Sequence, residues 1–440
     1  MRFAAGEAAA AIGAELVGPD TVVDGATFDS REVHPGQLFV PLVAARDGHE
    51  FVAAALARGA AAYLTEREPQ GATAIRVPDT AAALLALASW GRGRLPDSVV
   101  AVTGSVGKTS TKDFVAAVAR ARLRTAAAER SFNNEQGLPV TILNAPDDVE
   151  VVVLEMGMRG PGEIARLCRV GRPTIGVVTG VGEAHTERLG GLAGVARAKG
   201  ELVEALPAAG TAVLNADDPW VLPMAERSEA PVLTYGSGVA ADVRIENLHL
   251  DALARSSFRC RTPWGVAEVH LRVPGAHMAA NAAAALAAAG VLGVPIDVAA
   301  DALASAAISG MRMEMRATSS GATVVDDSYN ANPTSVLAAL DTLAAMHANR
   351  RVAVLGLMAE LDQPAEQHRA VAARAAELGV QVVAVGTDLY GITGIDADGV
   401  PGALGSLGRG DAVLVKGSRV AGLERVVRLL VEEGAAGHPS

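Results

Sequence analysis

Aromatic side chains are scarce. The 440 residues include 7 Phe, 3 Trp and 4 Tyr, too few for a platform that stacks successive nucleic-acid bases. Cysteine is nearly missing. Cys168 and Cys260 cannot build a disulfide framework or a cysteine-only zinc site, and so low a thiol count suits a reducing cytosol. Positive charge is in deficit: a net charge of −11 argues against a general polyanion binder and leaves room only for a local basic pocket for phosphates. A long, strongly apolar run is also lacking. The longest charge-free stretch past the N-terminus, residues 278–296, is mostly Ala and Gly with Asn281 and Pro295 inside it. Alanine carries little transfer free energy, so a buried helix is expected there and no membrane span. Residues 1–17 hold one Arg and an alanine run broken by Glu7 and Glu15, which reads as an amphipathic helix and not a signal peptide.

What is present is apolar surface. Half the residues are hydrophobic and 20% are charged, enough for several cores, and at roughly 150 residues per domain the length suggests about three. Residues 1–95 read as a small α/β unit, with strands at 36–43 and 72–77, helices at 51–59 and 81–90, and a Gly/Pro-containing linker at 91–98. A second unit, 96–310, opens with the strand 99–103. Its short apolar strands, 151–157, 174–181 and 211–217, alternate with helices, as in a parallel sheet covered on both faces. Residues 241–274 alternate polar and apolar residues and suggest an antiparallel patch inserted before a helix at 277–290. The third unit, 311–440, repeats strand and helix: strands at 323–326, 352–356, 380–386 and 411–416, helices near 333–346, 364–378 and 419–432. The fold class is α/β throughout.

The strongest local signal lies at 99–118, VVAVTGSVGKTSTKDFVAAV. A strand ends at Thr103, a turn Gly104-Ser105-Val106-Gly107 follows, and Lys108-Thr109-Ser110 open a helix. Such a turn points backbone N–H groups inward, the helix N-terminus adds positive potential, Lys108 reaches β/γ oxygens and Thr109 is placed for Mg²⁺. The loop is the short form T-G-x-x-G-K-[ST], because Val102 stands where the longer pattern has glycine. An ordinary strand-to-helix turn is the plainer reading of the same residues.

Further motifs follow in order: SFNNEQGLPVTIL (131–143), VLEMGMRGPGEI (153–164), VTGVGEAHTERLGG (178–191), ARAKGEL (196–202), LNADDP (214–219), GAHMAANAAAAL (275–286), GMRMEMR (310–316) and VVDDSYNANPTSV (324–336). This series resembles the Mur ligase family, ATP-dependent amide-forming enzymes of peptidoglycan precursor synthesis. The resemblance runs through all three units. It implies a three-domain architecture with a central P-loop parallel-sheet domain and a C-terminal Rossmann-like domain. Within the family, DDSYNANP (326–333), LGLMAELD (355–362) and LVKGSR (414–419) look most like the MurF type, which adds D-alanyl-D-alanine to UDP-N-acetylmuramoyl-tripeptide. DSREVHPGQLFVPL (29–42) and DGHEF (47–51) resemble the uridine-nucleotide domain shared with MurE ligases, but the D-N-P-R motif of a MurE is missing. A MurE adding a single amino acid, the more distant folylpolyglutamate synthetase and an inactive nucleotide-binding regulatory protein stand as alternatives.

The resemblance assigns roles residue by residue. Glu155, at a strand end, implies a Mg²⁺ ligand beside Thr109. His185 implies a ligand of a second Mg²⁺, completed by a carbamylated Lys199; read plainly, Lys199 sits on a solvated helix face near Arg197 and Glu201. Arg312 implies a hinge arginine reaching the ATP phosphates. His277 and Asn281 fall near the adenine, although Met278 follows the histidine where the family often has Asn. Asp327, Tyr329 and Asn330 face the nucleotide from the third domain. Ser30, Arg31, Asn133 and Asn134 are candidates for holding the UDP-linked substrate; turn formation and surface charge are their plainer readings. Asn332, Lys416 and Arg419 are candidates for the dipeptide. The expected enzyme is a cytoplasmic monomer that uses ATP and two Mg²⁺ ions, with no nucleic-acid partner.

Overall fold

The computed structural model describes residues 1–128, 131–184 and 186–432. Among these, three larger sheets organise the chain. The central one has nine strands. Thr125–Ala127, Val151–Glu155, Val99–Thr103, Ile175–Val178, Thr211–Asn215, Val232–Gly236 and Val243–Leu250 lie side by side in parallel. Arg255–Thr262 and Gly265–Pro274 then extend the sheet antiparallel. The polar alternation at 241–274 therefore marks the expected antiparallel patch, which continues the central sheet just before the helix His277–Val291. One face of those last strands meets solvent, which is what the alternation records.

The central strands are continuously apolar and buried because helices cover both faces. Lys108–Arg120, His277–Val291 and Ile296–Ser305 pack on one side. On the other side, Leu138, Leu143, Leu154 and Leu167 join one core with Met1, Phe3, Leu84 and Leu87 of the N-terminal unit. That unit holds a five-stranded sheet. Its edge strand Ala26–Thr27 is clipped by the Asn144 side chain, whose Oδ1 accepts from Ala26 N–H (2.8 Å) while its Nδ2 donates to Ala26 C=O (2.9 Å). An amide side chain thus substitutes for one more strand at that edge.

Four local expectations are revised. The N-terminal helix is short, Ala5–Ala11, with Gly13 left-handed just beyond it and strands on either side. The strand expected over 36–43 shrinks to Leu38–Phe39, since Pro41 supplies no N–H. The helix Thr80–Arg92 runs into the expected linker. Buried Arg92 there donates to Gly171 C=O (2.8 Å) and Leu95 C=O (3.2 Å), pinning the connection to the central unit. The last helix begins at Glu424, after a 3-10 turn Arg419–Ala421 and left-handed Gly422. The third sheet places Asp411–Lys416 between Thr323–Asp326 and Arg350–Leu355, with an unforeseen antiparallel edge strand, Glu314–Ala317.

Candidate active site

From Val99–Thr103 the chain moves to one side of the sheet, through Thr125–Ala127 and Val151–Glu155, and then crosses to the other at Ile175–Val178. The carboxyl ends of these strands meet at that reversal, the usual ligand position in a parallel sheet. The turn 104–107 lies there. It is braced by Ser105 N–H to Gly180 C=O (2.7 Å), Ser105 Oγ–H to Gly182 C=O (3.0 Å) and Thr179 Oγ1–H to Val106 C=O (2.5 Å). Gly107 is left-handed at φ 77°, and a Cβ on it would stand 2.5 Å from Asn281 Oδ1, so Asn281 lies directly against the turn. Ser110 is buried in the first turn of the helix that follows.

Lys108 Nζ donates to Gly104 C=O (2.7 Å). Burial pushes its pKa down, Glu155 opposes that and Arg312 adds to it. Glu155 is 1% exposed. Its Oε2 accepts from Thr109 Oγ1–H and its Oε1 from Asn133 Nδ2–H, both at 2.8 Å. Thr109 Oγ1 also lies 3.3 Å from Ser131 Oγ, which accepts from Arg312 Nη2 (2.8 Å). The Arg312 guanidinium stacks 4.3 Å over the Tyr329 ring, and its buried Nε has no partner among the described residues. Lys199 is 2% exposed; among the described residues its ammonium has no hydrogen-bond or carboxylate partner. Burial, and then the charge of Lys108, drives its pKa well below the lysine range. His185 lies outside the described residues.

The third unit contributes a second cluster. Lys416 is buried and donates to the Asp327 carboxylate and to Asn330 C=O. Asp327 Oδ1 accepts from Met313 N–H (3.2 Å). His277 adjoins this pair: burial lowers its pKa, Asp327 raises it and Lys416 lowers it. Asn332 caps the helix Pro333–Ala345 by accepting from Ser335 N–H (2.9 Å). Lys416 and Asn332 are thus occupied in holding the fold. Arg419 is exposed, paired with Glu424 at 3.3 Å.

On the N-terminal side, Asn134 Oδ1 caps the helix Gly137–Leu143, accepting from Gly137 N–H (2.9 Å). Arg31, 83% exposed, closes onto Asp29 beside Ser30. The contact of Phe28 with Phe132, 5.7 Å between centroids, brings that loop alongside residues 131–134.

Residues 102–289 match the Mur ligase middle domain, and residues 311–419 the Mur ligase, glutamate ligase domain. The chain belongs to the Mur ligase family. Its middle-domain match spans the phosphate turn through Asn281, and the second match begins next to Arg312. This Mur ligase is 38% identical to the UDP-N-acetylmuramoyl-tripeptide–D-alanyl-D-alanine ligase of Mycobacterium tuberculosis, over 93% of this chain and 92% of that one. Among solved structures it superposes on MurF from Acinetobacter baumannii with a TM-score of 0.88, at 27% identity, covering 98% and 99% of the two chains. With MurF ligase from Thermotoga maritima in complex with ADP the TM-score is 0.81, at 28% identity, covering 94% and 99%.

Two residues of this Mur ligase site escaped sequence reasoning. Ser131 joins Arg312 to Thr109. Asp218 accepts from Val181 N–H (2.8 Å), Trp220 N–H (2.8 Å) and Val221 N–H (3.1 Å), which fixes the loop against which the phosphate turn rests. Both stand inside motifs recognised in the sequence, SFNNEQG and LNADDP, and only the fold shows what they touch. Among the described residues no helix is long and apolar enough to cross a membrane, and no three His, Cys, Asp or Glu side chains gather into a metal cluster.

Proposed function

We propose that this Mur ligase joins D-alanyl-D-alanine to UDP-N-acetylmuramoyl-tripeptide at the expense of ATP. The observation that carries the reading is the whole-length likeness to ligases of that name. A relative solved with ADP supports the nucleotide. No comparison favours a single-amino-acid ligase or an inactive regulator over the dipeptide ligase. Residues 1–95 hold the UDP end, with Ser30, Arg31, Asn133 and Asn134 nearest to it. Residues 96–310 hold ATP, and residues 311–440 close over the site with the dipeptide. ATP as co-substrate places the work in the cytoplasm, and a monomer suffices because one chain carries all three units.

A carboxylate is a poor electrophile. Its oxygen attacks the γ-phosphorus, the bond to the β-phosphate oxygen breaks, and ADP leaves behind an acyl phosphate. The unprotonated dipeptide amine then attacks the acyl carbon, the tetrahedral intermediate loses one N–H proton to solvent, and it expels phosphate. The acceptor carboxylate and the ATP phosphates are anionic where they react, so the site must supply cations and N–H donors aimed at developing charge. Lys108 and the turn 104–107 meet the β/γ oxygens. Arg312, whose Nε has no partner among the described residues, meets the phosphates from the hinge. His277, Asn281, Asp327, Tyr329 and Asn330 surround the nucleoside.

The residues present fit Mg²⁺. Thr109 and Glu155 form a hard-oxygen pair, and among the described residues no Lys or Arg nitrogen stands within 4 Å of that buried carboxylate. Phosphate and water complete such a site. Mg²⁺ there would neutralise phosphate charge during transfer. For a second ion, Lys199 must carry oxygens. A lysine amine kept neutral by burial adds to CO₂ and releases one proton, leaving a carbamate; the lowered pKa of Lys199, and its lack of a partner among the described residues, support this.

The direct test is phosphate release from ATP with UDP-N-acetylmuramoyl-tripeptide, comparing D-alanyl-D-alanine with single amino acids. Release with the dipeptide alone is expected; release with a single amino acid overturns the reading. For the dipeptide carboxylate, exposed Arg419 is the anchor, since Lys416 is occupied by Asp327. Arg419→Ala should raise the D-alanyl-D-alanine KM about ten- to a hundred-fold, the effect of losing one charged hydrogen bond, with the ATP KM unchanged. An equal rise in both would assign Arg419 to closure instead.

A further inference from the structure

Arg312 sits between two residues of unusual backbone. Met311 and Met313 are both left-handed, at φ 60° and 51°, a region that side chains other than glycine rarely occupy and that persists only where the surroundings impose it. Part of the imposition is local. Met311 N–H donates to Glu314 Oε2 (3.1 Å), Met313 N–H to Asp327 Oδ1 (3.2 Å), and Met311 C=O accepts from Tyr329 N–H (3.2 Å). Those partners all belong to the third unit. They set the shape of the segment but not its place over the phosphate turn.

That place is set from the phosphate-turn helix itself. Asp113, in the second turn of Lys108–Arg120, accepts from Ser309 N–H through Oδ2 (2.8 Å). Its Oδ1 pairs with Lys112 Nζ (2.6 Å). Lys112 is 1% exposed and also donates to Ala128 C=O (2.7 Å), so the ammonium that orients Asp113 is itself immobile. The sequence KTSTKD thus runs from the phosphate lysine to a carboxylate holding the hinge three residues before Arg312.

We propose that Asp113 is a positioning residue: it ties the hinge to the phosphate-turn helix and thereby places the Arg312 guanidinium over the nucleotide phosphates. This rests on the reading of Arg312 given above. Removing Asp113 alone would strand a buried charge on Lys112, so the test uses the pair. Lys112→Met/Asp113→Asn keeps an acceptor for Ser309 N–H without any buried charge, whereas Lys112→Met/Asp113→Ala removes the acceptor. Affinity for a non-hydrolysable ATP analogue with Mg²⁺, measured by calorimetry, is expected to be near wild type for the first and about five- to tenfold weaker for the second. In an Arg312→Ala background the two should become equal, since residues acting through one group are not additive. Ser309→Pro, which leaves the Lys112–Asp113 pair intact, should reproduce the loss if the double variants fold poorly.

Equal affinities with Arg312 present, or a difference that survives Arg312→Ala, overturns the proposal. Arg312→Ala without effect on the analogue overturns the reading of Arg312 and the proposal with it. A chain that shows the coupling but releases no phosphate with the dipeptide overturns the ligase reading alone.

Discussion

Lys108→Ala is expected to lower the rate of dipeptide-dependent phosphate release about a hundred- to a thousandfold, the scale on which one preorganised donor acts in a transition state. The fold should survive. Lys108 Nζ is bonded to the backbone carbonyls of Gly104 and, more weakly, Ser105, and burial already disfavours its charge, so the substitution removes a desolvation cost together with hydrogen bonds to neutral acceptors only. A thermal unfolding midpoint no lower than wild type, alongside the kinetic loss, would separate the two. Near-normal turnover in a folded variant would remove the phosphate turn from the mechanism.

Lys199→Met is expected to be as damaging to catalysis and, unlike most core substitutions, to stabilise the protein. The direction follows from linkage. The folded-state pKa of Lys199 is lowered well below 10.5, so at neutral pH the unfolded chain binds a proton that the folded chain resists. Stability of the unmodified wild type therefore rises with pH between that lowered pKa and about 10.5. The variant has no such dependence at this position. In CO₂-depleted buffer without nucleotide, its unfolding midpoint should exceed wild type at pH 7, with the gap closing towards pH 9.5. Carbon-13 NMR of the native enzyme under ¹³CO₂ should show a carbamate signal that Lys199→Met lacks, and short carboxylic acids should restore part of the activity to Lys199→Ala. A wild-type rate in either variant would exclude the carbamate. Gain in stability with loss of turnover is the pattern of a residue kept for function against the interest of the fold.

How far the sequence can be read depends on the distance between partners. The strand–turn–helix at 99–120 is legible because every part of it is local: an apolar run, a turn needing glycine and a helix start. Glu155 is legible as the end of an apolar strand. What links them is not. Arg312 reaches Ser131 across 181 positions, Asn144 clips Ala26 across 118, and Lys416 meets Asp327 across 89. No periodicity records such pairings. Lys416 looks like a loop cation inviting an anion until the adjacent parallel strands set Asp327 beside it. Asn332 and Asn134 are candidates for ligand contact, and that they also cap helices shows only in the backbone geometry, because amides serve ligands and caps equally well. The alanine run at the N-terminus misleads differently. Alanine favours helix without marking a face, so the strands on either side of Ala5–Ala11 were hidden.

The core shared by Leu84 and Leu87 with Leu138, Leu143 and Leu167 has a consequence for biosynthesis. The N-terminal unit emerges from the ribosome first, but the apolar face of its helix Thr80–Arg92 is covered by helices encoded well downstream, Gly137–Leu143 and Glu163–Gly171. At about 5–20 residues per second, that face waits several seconds for its cover. Until residues 137–171 are made that face lacks its cover, so the order of translation, not the order of domains, decides when the N-terminal unit completes its core.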